Sequence, residues 1–148
     1  MNPEIRKATL DDLDDLTLLF DGYAQFYRQP SNMEECHDFL RDRLTNQEAI
    51  IFIAYLDDEA AGFTLLYPSF SSVSRAPILI LNDLFVSPDS RKKGIGIELL
   101  NCAVEFGKKY GAVRLHLETE ISNSSAQSLY EKEGWTRDSE TYHYSYTL

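Results

Sequence analysis

The residues best suited to chemistry in this chain lie between Ile78 and Leu100, in the stretch ILILNDLFVSPDSRKKGIGIELL. An apolar run of strand length passes through Ser87-Pro88-Asp89-Ser90 into a basic, glycine-bearing turn, Arg91-Lys92-Lys93-Gly94-Ile95-Gly96. A segment of helical period follows. A strand feeding a glycine-rich turn at a helix start makes an anion site, because unpaired backbone N–H groups and the helix dipole converge there. Gly94 and Gly96 remove the Cβ that would hold a ligand away from the backbone. The expected guest is a phosphate. A nucleotide-triphosphate loop needs lysine directly after its last glycine, and here Lys92 and Lys93 both precede Gly94. A dinucleotide fingerprint needs a third small residue where this chain has Leu99.

Periodicity gives the elements that must carry this turn. Ile5-Arg6-Lys7-Ala8 reads as a first strand, and Thr9 caps a helix with Asp11 and Asp12 in its positive first turn. Leu13, Leu16, Leu19, Phe20 and Tyr23 recur at helical spacing and define its buried face. Tyr23 to Tyr27 ends that helix with aromatic surface, which serves the core or a substrate wall. Ser31 with Glu34 forms a second capping box, opening a helix to about Leu44. Ala49 to Leu56 is a strand, Asp57-Asp58-Glu59 a turn, and Gly62 to Tyr67 the returning hairpin strand. Pro68 ends or bulges that strand, since proline donates nothing to a ladder. Ile78 to Val86 is the central strand and Ile97 to Tyr110 a helix stopped by Gly111. Val113, Leu115 and Leu117 alternate with polar residues as a half-buried strand. Asn123 or Ser122 caps a last helix ending near Gly134, and Thr141 to Leu148 reads as a final strand. The result is an α+β chain with a mixed sheet, organised as one domain over residues 1–148.

Composition narrows the function classes. With 148 residues, 26% charged and 43% apolar, the chain can bury a core without staples. A formal net charge of −10 is the reverse of a nucleic-acid binder's balance and suits a cationic small molecule. Cys36 and Cys102 form no Cys-x-x-Cys pair and read as small core residues, while His37, His116 and His143 are scattered, so no metal site is expected. The longest apolar run, Ala49 to Leu56, falls short of the roughly 18 residues that span a bilayer. With no signal segment after Met1, a reducing cytoplasmic setting is the expectation.

A second pattern, Asn123-Ser124-Ser125-Ala126-Gln127-Ser128-Leu129-Tyr130-Glu131-Lys132-Glu133-Gly134-Trp135, fixes the resemblance. With the R-x-x-G-x-G turn upstream, it resembles the two signatures of the GNAT acetyltransferase superfamily, in the family's order and at its separation. The resemblance covers essentially the whole chain. Leu81-Asn82-Asp83-Leu84-Phe85-Val86 further resembles the small-amine branch that includes diamine and thialysine acetyltransferases. Asn82 departs from it, standing where those enzymes carry a glutamate that helps handle the amine.

The resemblance implies a GNAT-like sheet, mostly antiparallel, flanked by helices and splayed between strands four and five. It implies acetyl-CoA as co-substrate and no metal. Leu84, Phe85 and Val86 would offer backbone groups to the pantetheine arm like an added strand. Lys92, Lys93, Gly94, Ile95, Gly96 and Ile97 would hold the pyrophosphate through main-chain N–H groups, with Arg91 adding charge. Asn123 would contact the cofactor, Ala126 would leave room for it, and Tyr130 occupies the family's general-acid position. Asp83 is the candidate base, directly or through water. Tyr27, Tyr67, Asn82 and Asp83 are the candidate substrate wall. The implied reaction is direct attack of a small primary amine on the thioester in a ternary complex. Acetylation of a protein lysine or N-terminus and a non-catalytic CoA-binding sensor are the alternatives. Homodimerisation is common in the family, and the tyrosine-rich last segment would serve it.

Overall fold

A computed structural model describes residues 2–148. It resolves two compact units, the first running to Glu118 and the second covering Thr119–Leu148. In the first, five strands lie side by side in chain order: β1 (Glu4–Lys7), β2 (Ile50–Leu56), β3 (Glu59–Ser71), β4 (Ala76–Val86) and β5 (Leu115–His116). The first four pair antiparallel and β4 pairs parallel with β5, which makes the sheet mixed. Its helices are α1 (Leu13–Phe26), α2 (Met33–Thr45) and α3 (Ile95–Tyr110).

α1 and α2 cover one face of the sheet, where Leu13, Leu16, Leu19 and Leu40 pack with Ile51, Ile53, Phe63, Leu65 and Phe85 in one core. The opposite face belongs to α3: the Phe52 and Phe106 rings lie 5.5 Å apart, and Leu79 reaches Gly107. Thr9 opens the first helical segment as expected, accepting from the Asp11 N–H while Asp12 closes a reciprocal capping box.

The second helix starts one residue later than the sequence pattern suggests. Asn32, not Ser31, is its N-cap, accepting from the Glu35 N–H at 3.1 Å. Ser31 is diverted because its hydroxyl donates to the buried Asp21 carboxylate at 2.6 Å. Asp21 also accepts from the Asn32 N–H at 2.8 Å, Gln25 Nε2 at 3.0 Å and Cys36 Sγ at 3.7 Å. A tertiary bond has outcompeted a local cap. Cys36 is therefore a donor as well as a core filler.

Three further expectations change. β3 runs through Pro68 to Ser71 rather than ending there. β2 follows it only as far as Leu66, so beyond that point one edge of β3 has no ladder in which a missing N–H would matter. β5 shrinks to Leu115–His116, because its ladder with β4 covers only Leu79 and Ile80. Finally, Thr141 to Leu148 forms no strand. Its alternating Tyr142, Tyr144 and Tyr146 are 90%, 93% and 89% exposed, so the alternation has no face to bury. The regular element of the second unit is α4 (Ser124–Lys132), capped by the Asn123 side chain on the Ala126 N–H.

Candidate active site

The site begins with an irregularity in β4. Leu65 of β3 pairs with Asp83, but its neighbour Leu66 pairs with Leu81, so Asn82 is an extra, unpaired residue. A bulge of this kind reverses side-chain alternation on one side of itself. The consequence is direct. Leu79, Leu81, Asp83 and Phe85 alternate perfectly in sequence, yet Leu79 lies against α3 while Phe85 belongs to the core under α1. Asp83 goes with Phe85. Its carboxylate faces α1, where the Tyr23 hydroxyl donates to the neighbouring Asn82 carbonyl at 3.5 Å and helps hold the Asp83 pKa down.

Several aromatic rings close around that carboxylate. Tyr23 meets Tyr27 edge-on at 5.0 Å and Phe85 at 6.1 Å, and Phe26 meets Tyr27 at 5.2 Å. Gly22 makes room for this packing, since a Cβ there would come within 3.3 Å of the Phe85 ring. Tyr67 approaches from β3. Burial, with the nearby Asp83 charge adding to it, pushes the Tyr67 phenol upward.

Asp83 is 4% exposed. Burial drives its carboxyl above the ordinary carboxylate range, while hydrogen bonds from Tyr23 and from Asn82 Nδ2 (3.2 Å) pull the other way. Thr64 on β3 donates to the Asp83 carbonyl at 2.8 Å, fixing the backbone beneath. A buried, partly desolvated carboxylate is a stronger proton acceptor near neutrality than an exposed one. Tyr67 and Asn82 thus lie near Asp83, and Tyr27 joins this end of the sheet through the Tyr23 ring. The sequence reading placed Tyr23 in an aromatic surface serving the core or a substrate wall. Its spacing to Tyr27 put both on one helix turn, but the partner 60 positions downstream carries no local signal.

Past the bulge, the remaining residues of β4, Asp83 to Val86, ladder with β3 alone. The sheet therefore opens on that side beside Leu84, Phe85 and Val86. The chain then passes the short 3-10 turn Pro88–Ser90 and enters the glycine turn. Lys92 (φ 63°) and Gly94 (φ 81°) are both left-handed. The first is a strained conformation for a side-chain-bearing residue. Gly94 is the N-cap of α3 and no side chain caps that end. The first-turn N–H groups of Ile95, Gly96 and Ile97 consequently have no intrahelical acceptor. A Cβ at Gly94 would meet nothing within 4 Å, and one at Gly96 only the tip of Val86 at 3.8 Å. The space in front of the turn is open, as a pyrophosphate held by main-chain donors requires.

Arg91 does more than add charge. Its Nε donates to the Val86 carbonyl at 3.0 Å, and its guanidinium lies 5.9 Å and 5.7 Å from the Phe26 and Phe85 rings. It ties the glycine turn to the aromatic wall. Lys92 and Lys93 are exposed.

In the second unit, Asn123 Oδ1 is occupied by its capping bond to the Ala126 N–H at 3.1 Å. Ala126 and Tyr130 are half-buried. The Tyr130 ring lies 6.1 Å from the Trp135 ring, and the Trp135 backbone N–H donates to the Tyr130 carbonyl at 2.9 Å. Among the described residues, no cluster of His, Cys, Asp and Glu has the makings of a metal site, and no helix is long and apolar enough to cross a membrane.

Comparison with known proteins agrees with this geometry. Residues 14–135 match the model of the acetyltransferase (GNAT) family. An uncharacterized N-acetyltransferase of Bacillus subtilis, YhfO, is 46% identical over 140 residues, covering 95% of this chain and 94% of that protein. The thialysine N-epsilon-acetyltransferase of Caenorhabditis elegans is 28% identical over 143 residues, covering 90% and 89%. The crystal structure of a probable acetyltransferase superposes with a TM-score of 0.92 at 37% identity, covering 98% of this chain and 97% of that one.

Proposed function

The chain belongs to the GNAT acetyltransferase family, and on that premise we propose that it transfers the acetyl group of acetyl-CoA to the primary amine of a small molecule. The observation that carries the acceptor assignment is the buried Asp83 carboxylate inside a wall of Tyr23, Tyr27, Tyr67 and Phe85. Such a wall suits a small cationic acceptor better than an extended polypeptide. An alkylammonium must lose a proton before it attacks, at a cost of about 4–5 kcal/mol at pH 7. Asp83 takes that proton, directly or through one water.

The amine nitrogen then forms a bond to the thioester carbonyl carbon, the adduct's surplus nitrogen proton passes to solvent, and the C–S bond breaks to release CoA thiolate and the neutral amide. The main-chain donors of Lys92 to Ile97 hold the pyrophosphate, and Leu84 to Val86 align the pantetheine arm along the opened side of the sheet. The second signature supports Tyr130 as the hydrogen-bond donor that steadies the departing sulfur. Transfer from a tyrosine near pKa 10 to a thiolate near 8.5 is uphill by about 2 kcal/mol, so the bond tightens first and protonation completes later.

Calorimetry with CoA, followed by thiol release from acetyl-CoA with a panel of amines, tests this. The wild type should give heat with CoA and a raised melting temperature, and Gly94→Val should give neither. Thiol should appear with at least one small primary amine. CoA binding without release for any amine would leave a CoA sensor instead of an enzyme.

A further inference from the structure

We propose that Tyr23 is a positioning residue for acetyl transfer: its hydroxyl holds the Asp83 carboxylate and the bulge beneath it in the geometry that receives the acceptor's proton. This rests on the reading of Asp83 as the base. Three observations place Tyr23 in this role. Its hydroxyl donates to the Asn82 carbonyl at 3.5 Å and lies near enough to the Asp83 carboxylate to hold its pKa down, so one group reaches both the base and the unpaired bulge residue. Its ring is locked on four sides, by Phe20 (6.1 Å), Tyr27 (5.0 Å), Phe63 (5.9 Å) and Phe85 (6.1 Å). A hydroxyl on a ring held that firmly cannot swing away when the acceptor arrives. Finally, a bulge leaves its extra residue without ladder bonds, so Asn82 needs support from outside the sheet.

The hydroxyl also opposes burial. The groups that face Asp83 are Tyr23 from α1, Tyr67 from β3 and Asn82 on its own strand. Tyr67 is neutral near pH 7, because burial and the Asp83 charge both push its phenol up. No cation among these groups favours the ionised carboxylate, so hydrogen bonds must do so. Losing the bond from Tyr23 shifts the carboxylate towards its protonated form.

The test is Tyr23→Phe, which keeps the ring and its packing and deletes only the hydroxyl. At saturating acetyl-CoA, the acidic limb of the kcat/KM profile for the amine should move up by about one pH unit and turnover at pH 7 should fall about tenfold. KM for acetyl-CoA should stay put. In an Asp83→Asn background the same change should have almost no further effect, because the two groups act as one unit. An unmoved acidic limb with unchanged turnover overturns the proposal while leaving Asp83 as base. Full activity in Asp83→Asn overturns both. A changed melting temperature with an unmoved pH profile makes Tyr23 a packing residue only.

Discussion

Two of the buried carboxylates, Asp21 and Asp83, belong to the α1–α2 side of the sheet, and their surroundings push them in opposite directions. Asp21, 5% exposed, accepts from Ser31, Asn32, Gln25 and Cys36, and these bonds, Ser31's foremost, hold its carboxyl below the ordinary range. Asp83, 4% exposed, has two side-chain donors and a larger desolvation penalty, and sits above that range. Solvent exposure is similar, but Asp83 lies deeper among its neighbours and has fewer donors. A carboxylate with every lone pair claimed is a fastener, and Asp21 secures the end of α1 to the start of α2. One left short of donors remains hungry for a proton, which is what a base requires.

Exchanging each carboxylate for its amide separates these roles. The largest effect expected is on turnover in Asp83→Asn, a fall of about a hundredfold to ten-thousandfold in thiol release. The same variant should melt higher at pH 7–8. A carboxyl with a raised folded pKa stabilises at low pH, and that stability is lost as pH rises through the folded value. Turnover lost together with stability would break the comparison.

Next comes Asp21→Asn. The amide nitrogen would confront Ser31 or Asn32 donor to donor, at a cost of about 2–3 kcal/mol, or a melting temperature about 5–10 °C lower. Residual activity at lower temperature should persist. The pH dependence has the opposite sign from Asp83: a depressed carboxyl stabilises above its ordinary range, and that contribution fades as pH falls through the folded value. Scanning calorimetry from neutral to acid pH should therefore show both variants approaching the wild type, one from above and one from below. The smallest expected change is in Ser31→Ala, about 1 kcal/mol or 2–4 °C at neutral pH, diminishing in acid. A Ser31→Ala loss as large as that of Asp21→Asn would concentrate the clasp in a single bond.

What the sequence made legible was what neighbouring residues decide together. The apolar stripe of α1, the Asp57-Asp58 turn, the glycine turn and the Asn123 cap are all local patterns, and each appears where expected. The fold class and family followed from two such patterns. What the sequence concealed depends on distant partners. Nothing near Ser31 announces that Asp21 will claim its hydroxyl. The tyrosines of the tail have the alternation of a strand but no face to cover. Most of all, the even alternation from Leu79 to Phe85 hides the bulge at Asn82, which appears only when β4 is laid against β3. Asp83 could be singled out from its position, yet the reason it faces Tyr23 and Tyr67 could not be read from its neighbours.

That single surplus residue has a consequence for anyone reshaping the strand. Deleting Asn82 would restore a regular pleat with Leu81 and Asp83 as neighbours on opposite faces, so the carboxylate would still face α1. Drawing Asn82 into the ladder with no residue removed would instead turn the proposed proton acceptor onto the α3 face, with every reactive side chain still present in the chain.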